Sequence, residues 1–287
     1  MHPAVLVTGC SSGLGLATAR HLAARGVPVL ATVLEAGEAA PLADLEGVET
    51  FVCDVTDDDQ VARLRAAIDA RGGGLRGLVH NAGIAHYGLL TETSVEALRA
   101  VFEVNVFGMH RVTNAVVDLV VAAGGRIVNV SSISGTLSSA SMGVYAMTKH
   151  AVESYTDSLA AELAERGVHV CAVVPGNYAS SLITHLVRRF PLPPTASEEF
   201  RRLYEAGADT SRSEHPAPTA VAEVIHAALV DPVPLDRYLV VPKEAEAIRT
   251  LRQAAHELAR LNRSTPYRRA AAELVAWVDG AGGDAAG

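Results

Sequence analysis

Two residues of the segment "YAMTKH", Tyr145 and Lys149, have types and spacing that could move a proton. On a helix an i, i+4 pair shares one face, about one turn apart. A free phenol has a pKa of about 10, too high for a base at neutral pH. A neighbouring ammonium favours the phenolate and lowers that value. The same pair also occurs as a packed ring beside a solvated amine, so the spacing alone leaves both readings open. A second group is "TGCSSGLG", Thr8 to Gly15, which reads T-G-x-x-x-G-x-G with glycines at Gly9, Gly13 and Gly15. It follows an apolar run and opens a helical stretch. A turn from strand to helix leaves helix N–H groups unpaired, and with the helix dipole these make an anion site. Glycines let a pyrophosphate approach the backbone. Ser11, Ser12 and Leu14 fill the loop between them. A purely structural turn is the alternative.

Further segments carry the same theme. "CDV" ends an apolar run with Asp54 and Val55, where the carboxylate can meet an adenine amino group or cap a helix. "HNAG" ends another with Asn81, Ala82 and Gly83, where a backbone can approach a ligand or simply turn.

These groups need a scaffold. Strand-like runs at 4–9, 28–33, 49–55, 77–83, 126–132, 168–176 and 237–242 alternate with helical patterns at 14–25, 37–45, 57–71, 94–122 and 144–166. The strands are continuous apolar runs, as expected when both faces are buried. Their alternation with helices predicts an α/β fold, a doubly wound parallel sheet of Rossmann type. After Gly176 the pattern loosens into short helices and loop over 177–218, then recovers in a helix at 219–230. The expected organisation is one catalytic domain over 1–242, a helical extension over 243–279 and a disordered tail at 280–287.

Composition narrows the function. The chain has 287 residues, 49% hydrophobic and 20% charged, with a formal net charge of −8. That balance argues against nucleic acid and against an anionic membrane surface. Cys10, Cys53 and Cys171 form no disulfide framework or ligand spacing, and the 11 histidines form no metal motif, so no metal is expected. No window is long and apolar enough for a membrane span, and "MHPAVLVTG" lacks the features of a targeting segment, which predicts a cytoplasmic protein.

With these segments the chain resembles the short-chain dehydrogenase/reductase family over residues 4 to about 242. The motifs run in family order: "TGCSSGLG", "DV" at 54–55, "NAG" at 81–83, "NVFG" at 105–108, "VNVSS" at 128–132, "YAMTK" at 145–149 and "PG" at 175–176. "TGCSSGLG" followed by "VLATVLEAG" is also similar to the retinol and hydroxysteroid dehydrogenase branch. The resemblance implies hydride exchange with a nicotinamide dinucleotide, NAD or NADP. It makes Tyr145 the general acid/base and lets Lys149 reach the nicotinamide ribose. Ser132 would bind the substrate oxygen, and Asn105 would hold, through its carbonyl, a water linked to Lys149. Tyr145, Lys149, Pro175, Gly176 and Ser180 join the glycine loop, Asp54, Val55 and Asn81–Gly83 in holding the cofactor, Ser180 standing where the family often has Thr. His80 replaces the first Asn of the family's "NNAG", a mostly structural position.

The resemblance further implies a secondary alcohol or ketone as substrate and a homodimer or homotetramer formed by the helices at 94–122 and 144–166. Apolar residues on more than one face of the first of these helices (Val101, Val104, Val106, Val112, Val116, Val117, Val120) agree with burial against a partner. Leu137, Met142, Leu182, Ile183, Leu186, Phe190 and Tyr204 are candidates to line a hydrophobic substrate site, or to pack the 177–218 loop. No Lys or Arg lies between Gly26 and Asp54, whereas Glu35 and Glu38 do, which favours NAD over NADP. A non-catalytic dinucleotide sensor or scaffold is the rival reading, against which the intact Asn105, Ser132, Tyr145 and Lys149 speak. A nucleotide-sugar isomerase or dehydratase usually shows another glycine spacing and a longer substrate domain.

Overall fold

The computed structural model describes residues 3–208 and 215–280. The apolar runs become β1 (Ala4–Val7), β2 (Val29–Val33), β3 (Val48–Val52), β4 (Leu75–His80), β5 (Arg126–Val130), β6 (His169–Pro175) and β7 (Arg237–Val240). They form one sheet in the order β3-β2-β1-β4-β5-β6-β7, and every pairing is parallel. The inner strands are buried almost throughout, whereas β3 and β7, at the edges, are half exposed. The chain reverses its direction of travel across the sheet between β1 and β4. Loops leaving those two strands diverge there and open a crevice at the carboxyl edge.

Helices cover both faces. They are α1 (Gly13–Ala23), α2 (Asp58–Arg71), α3 (Val95–Phe102), α4 (Met109–Ala122), α5 (Gly143–Leu163), α6 (Leu182–Arg189), α7 (Glu198–Ala208), α8 (Thr219–Val230), α9 (Glu244–Ser264) and α10 (Ala271–Val278). Strand residues alternate between two cores. Val5, Val7, Val29, Ala31 and Val128 pack with Leu22 of α1 and Ile225 of α8. Ala4, Leu6, Leu30, Leu78 and Ile127 pack with Leu64 of α2, Val116 of α4 and Leu159 of α5.

Two helical expectations change in detail. The 37–45 pattern is a 3₁₀ run, Ala36–Leu42, with Pro41 inside it. The 94–122 pattern is continuous helix but contains a π turn at Glu103–Gly108 between α3 and α4. The 177–218 stretch folds as α6 and α7, with 209–214 outside the described residues. The tail expected to be disordered likewise lies outside them, except for Gly280. The extension is helical as expected. It is tied down near its start, where Thr250 is buried, while Leu251 and Leu261 further along α9 are 61% and 68% exposed.

Candidate functional site

A cleft of about 710 Å³ opens at the carboxyl edge of the sheet. Gly9, Ser11, Ser12, Gly13 and Leu14 form one wall. Gly9 has φ +70°, and a Cβ there would sit 2.8 Å from the Ala82 Cα. Gly15 does not reach the cleft; it lies beneath the loop, where a Cβ would run into the Gly9 carbonyl and the Asn81 amide. Its role is close packing of α1 on the loop rather than ligand contact. Ser12 precedes α1 but makes no side-chain cap; its hydroxyl is hydrogen-bonded to that of Ser181.

The loop is locked from the neighbouring strand. Thr8 Oγ1 accepts from the backbone N–H groups of Asn81 and Ala82, both at 3.0 Å. Asn81 Nδ2 donates to the carbonyls of Thr8 (3.0 Å) and Gly9 (2.9 Å). Asn81 is thus a brace that also lines the cleft, beside Ala82 and Gly83.

Asp54 and Val55 also line the cleft. Asp54 does not cap α2, since that position is taken by Asp57, whose carboxylate accepts from the Gln60 N–H. Thr56 instead donates twice to Asp54 Oδ1, both at 2.8 Å. The acidic residue beside the end of β2 is Glu38 rather than Glu35. Glu38 lines the cleft and accepts from the Leu34 N–H at 3.2 Å, because the 3₁₀ turn folds it back.

Tyr145, Lys149 and Ser132 converge on the same cleft. Ser132 leaves the end of β5, accepts from the Ser134 N–H at 3.1 Å and stands near enough to the Tyr145 hydroxyl to lower its pKa. Lys149 is buried, donates to the Val130 carbonyl at 2.8 Å and lies 5.6 Å from the centre of the Tyr145 ring. Burial is the largest influence on the phenol and acts against the lowering expected of the Lys149 ammonium. Burial pushes Tyr145 up to about 12, the Ser132 hydrogen bond draws it part of the way back, and Tyr87 adds to the rise. Burial likewise brings Lys149 down to about 8, against the pull of Glu153. In each case desolvation, which disfavours the charged form, is the largest cause.

Asn105 does not line the main cleft. The π turn aims its side chain at Ile84, whose N–H donates to Oδ1 and whose carbonyl accepts from Nδ2, both at 2.8 Å; Nδ2 also donates to Thr148 Oγ1 at 3.0 Å. Behind it lies a cavity of about 10 Å³ lined by Asn105, Lys149, His80, Thr8 and Val130, among others. That space is about one water molecule in size. His80 is neutral there, its pKa brought down to about 3 by burial. The Thr113 hydroxyl donates to the Met109 carbonyl, so His80 Nε2 donates to Thr113, at 2.8 Å.

Pro175, Gly176 and Ser180 also line the cleft. Ser180 approaches Gly13, where an added Cβ would meet the Ser180 Cβ at 3.1 Å. Of the apolar candidates, Leu137, Met142, Leu182 and Ile183 face the cleft, together with Tyr87 and Tyr178, which the sequence reading missed. Leu186, Phe190 and Tyr204 do not. Leu186 and Tyr204 are buried with Phe200, and Tyr204 donates to the Phe190 carbonyl at 2.9 Å, so these residues hold α6 and α7, which form a flap, on the domain. Glu246, from the extension, was also missed: its carboxylate accepts from Asn177 N–H (3.0 Å) and Nδ2 (3.1 Å). No pattern in the sequence joins residues so far apart. Among the described residues no group of three or more ligating side chains is placed for a metal, and no helix is long and apolar enough to cross a membrane.

A doubly wound parallel sheet with a glycine-lined helix N-terminus and a Tyr–Lys pair at its switch point defines a dinucleotide-binding oxidoreductase architecture. The comparisons with known proteins agree. The short chain dehydrogenase profile matches residues 3–189. A mitochondrial D-β-hydroxybutyrate dehydrogenase from Bos taurus is 37% identical over 188 residues, 62% of this chain and 55% of that protein. The chain therefore matches little more than half the length of that relative. Retinol dehydrogenase 16 from Rattus norvegicus is 37% identical over 206 residues, 70% of this chain and 62% of its own. A short-chain dehydrogenase/reductase from Burkholderia phymatum, solved in complex with NAD, superposes with a TM-score of 0.75 at 26% identity, covering 94% of this chain and 98% of that one. The chain belongs to the short-chain dehydrogenase family of NAD(P)-dependent oxidoreductases.

Proposed function

We propose that this protein interconverts a secondary alcohol and a ketone on a hydrophobic small molecule, using NAD(P) and with Tyr145 as the general acid/base. The observation that carries the reading is the meeting of Tyr145, Ser132 and Lys149 in one cleft with the glycine loop. The cleft suits a dinucleotide, since Gly9, Ser11, Ser12, Gly13 and Leu14 line it and α1 begins there with no side-chain cap on its N–H groups. Ser11, Ser12, Gly13 and Leu14 would hold the diphosphate. Asp54 and Val55 would take the adenine, Asn81–Gly83 and Lys149 the ribose side, and Pro175, Gly176 and Ser180 the nicotinamide. When bound, the cofactor supplies or accepts the hydride.

The protein's own part is proton transfer and orientation. Ser132 and Tyr145 together bind the substrate oxygen through their hydroxyls. A phenol held well above its ordinary pKa is protonated at neutral pH and donates to the carbonyl oxygen during reduction. Lys149 stands beside it, connected to the Asn105 side by the small cavity, so a water there would carry the replacement proton. The relatives named above are called dehydrogenases of a hydroxy acid and of retinol, which supports an alcohol or carbonyl substrate. Leu137, Met142, Leu182 and Ile183 give the substrate end its apolar lining.

Tyr145→Phe tests the proposal. It removes the hydroxyl and keeps the ring, so turnover with any accepted ketone is expected to fall by about 10²–10⁴-fold while NADH binding stays within about twofold. Near-normal turnover would sink the assignment of Tyr145. NADH binding with no turnover of any carbonyl compound by the wild type would favour a non-catalytic sensor.

A further inference from the structure

The charged groups that line the cleft are divided by sign. Glu38 and Asp54 sit on the wall built from the segments that follow β2 and β3. Apart from Lys149, the basic side chains are Arg189 and Arg249, with His185 and His215 beside them in the lining, all from segments after residue 177. Arg249 comes from α9, outside the part of the chain matched by the family profile, which ends at residue 189. Its position is built. Glu246, one turn earlier, is bonded twice to Asn177 and leaves no room for a Cβ on Gly176, so the start of α9 is seated against the cleft wall. Thr250, next in sequence, is buried and donates to the Glu246 carbonyl at 2.9 Å. Arg189 ends α6 with its guanidinium 5.9 Å from the centre of the Phe190 ring. Phe190 in turn packs edge-on against His86, with ring centres 5.0 Å apart. Ala179 N–H donates to the Pro216 carbonyl at 2.9 Å, which brings His215 to the same wall.

Neither guanidinium has a carboxylate within 4.0 Å among the described residues, whereas Arg65, Arg111 and Arg237 each hold two. In a chain of net charge −8, two unpaired arginines facing one cleft are a local reversal of sign. Guanidinium groups bind carboxylate and phosphate oxygens through paired N–H donors. We propose that Arg189 and Arg249 form an anion subsite on this wall, taking a phosphate or carboxylate group of a molecule bound in the cleft. The proposal rests on the reading of the cleft as the cofactor and substrate site. It gives the C-terminal extension a ligand-binding role and allows two sources for the anion, the cofactor diphosphate or an acidic group on the substrate.

Inorganic phosphate is the probe. Calorimetric titration of the full chain with phosphate is done with and without saturating NADH, on wild type, the R189Q/R249Q double variant and R252Q. Arg252 is exposed on α9 and does not line the cleft, so R252Q controls for loss of a surface arginine away from the cleft. The expected result is millimolar binding to wild type, weakened at least tenfold in R189Q/R249Q and changed less than twofold in R252Q. Displacement of phosphate by NADH assigns the subsite to the diphosphate; undiminished binding to the NADH-saturated protein assigns it to an acidic substrate group. Absence of phosphate binding to wild type, or equal binding to the double variant, overturns the subsite. Failure of NADH itself to bind wild type counts instead against the proposed function.

Discussion

Replacing Lys149 with Met separates the chemistry of that lysine from its burden on the fold. Its side chain is buried, and its pKa is brought from 10.5 down to about 8. Below about pH 8 the folded protein therefore keeps an ammonium out of water that the unfolded chain leaves solvated. The displacement corresponds to roughly 3 kcal/mol, at about 1.4 kcal/mol per pH unit. Met fills a similar volume without charge but gives up the hydrogen bond to the Val130 carbonyl, about 1 kcal/mol. Lys149→Met is thus expected to be more stable than wild type by roughly 2 kcal/mol near neutral pH. The folded pKa lies below the unfolded one, so between about 8 and 10.5 the unfolded chain binds more protons and wild type gains stability as pH rises. The advantage of the variant shrinks through that window and reverses to a deficit of about 1 kcal/mol above it, where only the lost hydrogen bond remains. Tyr145, raised to about 12, makes both proteins lose stability above about pH 10 and cancels in the comparison. Urea unfolding of both proteins without dinucleotide, at pH 6.5, 8.5 and 10.5, measures the difference. A variant less stable than wild type at pH 6.5, or a difference that does not move with pH, would refute the reasoning.

Cofactor choice is expected to favour NAD. Glu38 and Asp54 line the cleft with Leu34 and Thr32, and the basic lining residues other than Lys149 come from the segments after 177, so a 2′-phosphate beside Glu38 has no cation to offset its lost hydration. Dissociation constants for NADH and NADPH on one preparation decide it, and tighter NADPH binding contradicts this account. Assembly through α4 and α5 is expected to give a dimer or tetramer. Val112, Val116 and Val120 are used up by the sheet core, but Phe107 in the π turn and Met147 on α5 remain 52% and 43% exposed. Light scattering at micromolar concentration checks this, and a monomer rejects it.

The sheet and the glycine loop were legible in the sequence because both depend on local patterns. Continuous Val, Ile and Leu runs favour strands buried on both faces, and all seven formed strands, those at the two edges remaining half exposed. The spacing of Gly9, Gly13 and Gly15 around a strand-to-helix turn is likewise a local constraint, although only the fold showed that Gly15 serves packing. Tyr145 and Lys149 share a helix face by periodicity alone, and Ser132 reaches them because β5 ends beside α5. What the sequence could not contain was the balance of forces among groups brought together from afar. Burial, which raises Tyr145 and lowers Lys149, is a property of the assembled core and not of the i, i+4 spacing. Asp54 turned to Thr56, Glu38 rather than Glu35 reached the cleft, and Leu186, Phe190 and Tyr204 went to the flap, because each choice depends on backbone geometry set by neighbouring turns. Glu246 and Arg249 met the cleft only through contacts about 70 residues apart in the chain, such as that of Glu246 with Asn177, which no periodicity encodes.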